Sequence, residues 1–170
     1  MENRKWKKYK QGHLFRFWIL ILVAFVQLGC PSETQPKECD EFFNSYARQD
    51  ESVFAGYDLE KQLTIHLCGL DRHPPSDYSY EIADRGKIIV PVLLEKLNKD
   101  YKNSYDAQKT KLGIIFIFQR LASRGQLGND NAVIAAIERA VAEIKTDWMR
   151  EEAKESLADI KKNVGVPVKQ

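Results

Sequence analysis

From residue 38 onward, apolar side chains recur every three to four positions, and no run alternates apolar and polar for long enough to argue for a strand. The pattern predicts an all-α chain. Residues 38–49 place Phe42, Phe43 and Tyr46 on one helical face. A helix over 52–69 carries Phe54, Tyr57, Leu63 and Leu67, with Leu70 just beyond, and Asp71-Arg-His-Pro-Pro closes it because paired prolines stop a helix. Ser76 or Asp77 is expected to cap a short helix that packs Tyr78, Tyr80 and Ile82 and stops at Gly86. Residues 87–99 give an apolar helix from Ile88 to Leu97 with Pro91 early, where its missing N–H costs least.

The second half is more regular. Residues 105–123 are apolar all round their centre, from Leu112 through Ile114, Ile115, Phe116, Ile117 and Phe118 to Leu121, so this helix should lie between neighbours. Gly125 to Gly128 break it. Asn129 or Asp130 caps the next helix, whose stripe is Val133, Ile134, Ile137, Val141 and Ile144. Thr146 or Asp147 starts the last, with Met149, Ala153, Leu157 and Ile160 inward, and 165–170 should fray.

The first 38 residues follow another rule. Residues 1–16 are polar and basic, and residues 17–28 are apolar apart from Gln27. A basic stretch followed by a short apolar one is the pattern of a secretory signal peptide, here over 1–29. As a helix, the apolar stretch spans about 18 Å against roughly 30 Å of hydrocarbon. A strained span starting at Leu14, with Arg16 snorkelling, is the alternative. Residues 31–38 hold two prolines and no other apolar side chain, which makes 30–38 a polar tether and 39–164 a single domain.

Charge sharpens this division. The chain has 26 basic and 24 acidic residues. Six of the basic residues stand against Glu2 alone within 1–29, which leaves 20 against 23 in the remainder. A mildly acidic domain lacks the footprint of a nucleic-acid binder.

Leu28-Gly29-Cys30 resembles the lipobox of bacterial lipoproteins, in which a small residue precedes a lipidated cysteine. Gln27 stands where that family prefers an apolar residue. The resemblance implies lipidation at Cys30, attachment to the membrane through the N-terminal lipid, and a place on the periplasmic face of the cell envelope. Because Pro31 rather than Asp follows, it implies the outer membrane. An ordinary secreted protein cleaved nearby is the other reading. If Cys30 carries lipid, Cys39 and Cys68 remain, and an oxidising compartment favours a bridge between them over two buried thiols.

Setting Ala153, Leu157 and Ile160 over Ile114, Phe118 and Leu121 gives a shift of 39 residues. Trp148-Met-Arg-Glu-Glu-Ala-Lys-Glu-Ser-Leu-Ala-Asp-Ile resembles the second helix of a HEAT repeat, and Ile89-Val-Pro-Val-Leu-Leu-Glu-Lys-Leu a first helix, so the likeness runs over about 87–162. It implies a short α-solenoid used for binding or scaffolding, with an envelope protein as partner. A compact helical bundle is the alternative fold, and a purely structural envelope protein an alternative role.

Candidate chemistry is sparse. His66, Cys68, Asp71 and His73 form one cluster that could serve a small hydrolase or a metal-dependent enzyme, although their spacing matches no established ligand motif and a bridged Cys68 would be lost to it. The bland reading is a helix end and a polar loop. No phosphate-cradling glycine loop or nucleophile elbow occurs, so no catalytic residue, metal ligand or cofactor site is assigned. The aromatics Phe42, Phe43, Tyr46, Phe54, Tyr57, Tyr78, Tyr80, Tyr101 and Tyr105 are expected to fill the core of the N-terminal helices, or else to line a groove. Lys109, Lys111, Arg120 and Arg124, with Lys99 and Lys102, read as a solvated face rather than an anion site, and the Glu/Lys run at 150–162 as another.

Overall fold

Eight α-helices are formed among the described residues. They are α1 (Lys37–Asn44), α2 (Glu51–Ala55), α3 (Leu59–Gly69), α4 (Ser79–Ala83), α5 (Val90–Asn98), α6 (Tyr105–Ser123), α7 (Asn131–Glu143) and α8 (Asp147–Asn163). A computed structural model describes residues 36–45, 51–72, 75–101, 104–128 and 130–164. There is no strand among them, and the fold is all-α as expected. Helix α1 begins at Lys37, inside the segment read as tether. The leader 1–29, Cys30, Tyr46, Lys102, Asn129 and the tail 165–170 lie outside the described residues.

Helix α6 is the axis of the fold. Its Ile114, Ile115, Ile117, Phe118 and Leu121 are all buried, and α3, α4, α5, α7 and α8 pack around it. Its partners set the directions. Gln108 Oε1 accepts from the backbone N–H groups of Lys145 and Thr146, 37 and 38 residues away. Farther along, Gln119 meets Ser156 and Asp159, 37 and 40 residues away. A steady separation means that α8 runs parallel to α6 in one register. Helix α4 stands in the same relation on the other flank, where Arg120 reaches Ser79 and Asp77 at separations of 41 and 43 residues. Helices α4, α6 and α8 thus lie side by side, while α5 and α7 pack on each other.

Helix α3 runs the other way along α6. Asp71 pairs with Lys109 near the start of α6, whereas His66 bonds the carbonyl of Gly113 one turn later. Gly113 permits that approach. A Cβ there would come within 2.6 Å of Leu67 Cδ2 and 3.3 Å of His66 Nε2. The N-terminal helices are short and held differently. Cys39 and Cys68 form a disulfide that joins α1 to α3. Phe42, Phe43, Phe54, Tyr57 and Tyr78 pack ring on ring, with Phe54 stacked on Tyr78 at 4.7 Å between centroids. This is the aromatic core read from the sequence.

Several expectations are corrected. The helix read over 52–69 is two helices, because Gly56 to Asp58 break it and Asp58 caps α3 by accepting from the Lys61 N–H. Buried Gln62 and exposed Arg85 secure the break: Gln62 donates to Phe54 O, while Arg85 donates to Gln62 Oε1 and to Tyr57 O. The helix read over 87–99 opens with a 3₁₀ turn (Gly86–Ile89). The tighter winding rotates Ile88 out of the apolar face, and it is 78% exposed. Gly86 adopts φ +71°, the left-handed stop expected of it. Helix α4 has Tyr78 at its N-cap position, and Asp77 accepts from the Ser79 N–H instead. Tyr80 is not a packing residue but an exposed ring beneath the Arg120 guanidinium. Tyr105 is exposed too, and Tyr101, half-buried, lies apart from the aromatic cluster.

Candidate functional site: a buried histidine and a lysine cleft

The histidine cluster read from the sequence is dispersed by the fold. His66 is fully buried between α3, α4 and α6. The Tyr78 backbone N–H lies 3.3 Å from Nδ1, which must therefore accept. Nε2 then carries the proton and donates to the Gly113 carbonyl at 3.1 Å. Both ring nitrogens are used inside the fold. Burial pushes the His66 pKa down, and the pull of Asp77 and the Gly113 carbonyl only partly opposes it. The ring is neutral and serves as a strut between helices.

The other members of that cluster are engaged elsewhere. Cys68 is in the disulfide, and Asp71 pairs with Lys109 on the surface. His73 lies outside the described residues. Among the described residues, no three His, Cys, Asp or Glu side chains are placed to hold a metal ion.

In their place the fold brings Asp77 to His66, which sequence spacing did not suggest. Asp77 Oδ1 lies 3.6 Å from Nδ1, and Arg120 stands beyond it at 3.5 Å from Oδ2. Burial pushes the Asp77 carboxyl up, but its bonds with Ser79 and the charge of Arg120, joined by His66 where that ring is protonated, outweigh that and hold it below the usual carboxylate range. Ser79 is fully buried and bonded to Arg120. Serine, histidine and aspartate are neighbours here, but the only proton His66 holds is committed to a backbone carbonyl.

The basic residues on α6 are the clearest correction. They do not form a solvated face. Lys109 joins Asp71 and Asp106; burial pushes its pKa down, the two carboxylates push it up further, and the net position is above that of an ordinary lysine. Arg124 pairs with Asp84 at 2.7 Å. Lys111 is the most enclosed, its side chain 9% exposed, and it meets Glu143 at the end of α7. Each basic side chain ties α6 to a neighbouring segment. By contrast, the Glu/Lys run of α8 is largely exposed, with pairs such as Glu151–Lys154, as expected of a solvated face.

Beside Lys111 the surface opens into a cleft of about 390 Å³. Its wall on one side is the chain leaving α5, with Lys99, Asp100 and Tyr101. Its floor is the first turns of α6, with Gln108 and Lys111, and its far side is Glu143 and Lys145. A second hollow of about 400 Å³ continues between α5 and α7 past Arg139, sharing Asn98 and Glu143 with the first. Tyr101 is half-buried, its phenol pushed above the usual pKa by burial, which outweighs the opposing charge of Lys96. Sequence reading placed Lys99 and Lys111 in one basic group and Tyr101 among the aromatics that fill the core or line a groove, but had no signal for Lys145, because the cleft forms only where the ends of α5 and α7 meet the start of α6.

No known protein-family model matches the chain, and no curated protein or solved structure is significantly similar to it.

Proposed function

We propose that this chain is a lipid-anchored protein of a bacterial cell envelope and that its helical unit is a binding or scaffolding module. One observation carries the anchored reading. Cys39 and Cys68 are bonded to each other, and of the three cysteines this singles out Cys30, the one that follows the apolar stretch and a small residue. Lipidation gives that odd cysteine a use, and a disulfide suits an oxidising compartment. Residues from Pro36 onward form a compact unit of their own, so residues 30–35 would serve as the tether.

The binding reading draws support from the layered helices. Helices α4, α6 and α8 repeat at separations of 37 to 43 residues, the spacing expected of helical repeats of the HEAT kind. Such repeats offer surfaces between successive helices, and the α5–α7 hollow and the Lys111 cleft are surfaces of this sort.

Intact mass after membrane fractionation of the native host, with and without thiol reduction, tests the proposal. The expected species lacks residues 1–29, carries a diacylglyceryl increment on Cys30 and gains two hydrogens on reduction. A chain still beginning at Met1 in the membrane would overturn the anchor. A soluble, unlipidated product would make the protein a secreted one.

A further inference from the structure

We propose that the Lys111 cleft binds a phosphomonoester group, with the Lys111 ammonium at its floor and those of Lys99 and Lys145 at its walls. This rests on the binding-module reading and names the ligand chemistry of one of its surfaces.

Lys111 is the reason to look here. It sits in α6, which buries more residues than any other described helix, next to buried Leu112, with its side chain 9% exposed. Lysine is almost never buried this far unless it is paired, and an aliphatic residue would fill the place without a desolvation cost. Its partner does not explain the burial. Glu143 is 60% exposed, so the pair joins an enclosed ammonium to a carboxylate that water already solvates. Such a carboxylate can swing outward at little cost and leave the ammonium to an incoming anion.

The surroundings suit a compact dianion. Lys99 and Lys145 line the cleft and add two charges. Asp100 and Glu143 are the opposing charges, so with Glu143 turned outward the lining would hold three lysines against one carboxylate. A phosphomonoester carries about −1.5 to −2 charges at neutral pH and three acceptor oxygens. Ammonium groups act on it as point charges, without the paired fork that a planar carboxylate prefers from arginine. The volume, about 390 Å³, is that of a small-molecule site and leaves room for an organic substituent beyond the phosphate.

The test is ³¹P NMR titration of the detergent-extracted full chain with inorganic phosphate and with phenyl phosphate. Saturable exchange broadening is expected, tighter for phenyl phosphate. Lys111→Met, which keeps the bulk and removes the charge, should weaken binding by about tenfold or more. The double variant Lys99→Gln/Lys145→Gln alters exposed side chains and should weaken it several-fold with the thermal transition unchanged. Lys161→Gln, on α8 and paired with Glu138, should leave binding unchanged. Lack of saturation, or undiminished binding in the double variant, overturns the proposal.

Vesicles of phosphatidylcholine containing phosphatidic acid then identify the source. Release of phenyl phosphate on their addition points to a lipid headgroup, and retention to a soluble phosphomonoester. Failure of this site leaves the anchored reading intact, since that stands on the mass of the processed chain. A chain found unprocessed would leave the cleft measurement unaffected.

Discussion

The two halves of the helical unit reach stability by different routes. In α1 to α3 the helices are short, with 8, 5 and 11 residues, and they are joined by a disulfide and a knot of aromatic rings. In α6 to α8 they run to 19, 13 and 17 residues and lock through fully buried aliphatic side chains at a fixed register. Isolated helices below about 12–15 residues are marginal in water, so the first half needs its covalent and aromatic ties. The second half is held by apolar packing without a covalent tie among the described residues, and polar pairs such as Gln119–Asp159 and Lys111–Glu143 specify which turns meet. One region is stapled and the other is registered.

The largest expected effect comes from removing a registering side chain. Phe118 is fully buried at the centre of α6, and Phe118→Ala should cost about 3–5 kcal/mol in urea unfolding. Phe43, at the edge of the aromatic knot with Arg72 over its ring, should cost less on truncation. A reversed order would mean that the aromatic knot, and not the α6 ladder, is the main core.

The staple comes next. Cys39→Ala/Cys68→Ala releases a loop whose ends are 29 residues apart, and the loss should be about 3–4 kcal/mol in the chain-entropy model. Hydrogen exchange on the variant sharpens the comparison. Protection should fall first in α1 and α2, with α6 to α8 retaining theirs. Uniform loss across all helices would make the two regions one cooperative unit.

The seam between the regions is His66, and it should respond to pH. Its folded pKa lies below the ordinary 6.5, so the unfolded chain binds the proton more readily. The stability tied to the neutral ring is complete above 6.5 and falls as pH drops from there toward the folded pKa, with a limiting slope of about 1.4 kcal/mol per pH unit for one proton. Asp77, below its ordinary 3.8 in the folded state, adds a further loss only at still lower pH. The groups facing His66 are Asp77 and, behind it, Arg120. Thermal unfolding between pH 7 and 5 should show the decline in the native chain and a flatter profile in His66→Gln. Equal slopes would assign the decline to other groups.

The registered half was the more legible in the sequence, and the reason is physical. Long amphipathic helices repeat one period enough times to declare it, so α6, α7 and α8 were expected at nearly their observed bounds, and even the shift of 39 residues between α6 and α8 anticipates their parallel packing. The stapled half hid its breaks. Gly56 to Asp58 interrupt a stretch whose apolar spacing reads straight through, and Asp58 caps the helix that follows. The candidate site was less legible still. Lys111 has the composition of a surface residue and the environment of a core one, a difference that arises from where α7 ends. Asp77 and His66, 11 positions apart, meet only because α4 folds back along α6.

Helix starts offer the smallest and most local test of the contrast. Asp130 caps α7 in the ordinary way, its carboxylate accepting from the Ala132 and Val133 N–H groups at 2.9 and 3.4 Å. Asp130→Ala leaves those donors to water and should cost about 1 kcal/mol. Thr146 holds the same position before α8 but makes no such bond from its side chain. The backbone N–H of Thr146 and that of Lys145 instead donate to Gln108 on α6 at 2.8 and 2.6 Å. Thr146→Ala should therefore be nearly neutral, whereas Gln108→Ala removes the acceptor of two backbone donors at once and should cost more than Asp130→Ala. Urea midpoints of the three variants check the order. If Thr146→Ala proves as costly as Asp130→Ala, α8 is started by its own cap, and its register on α6 follows from apolar packing without the Gln108 clamp.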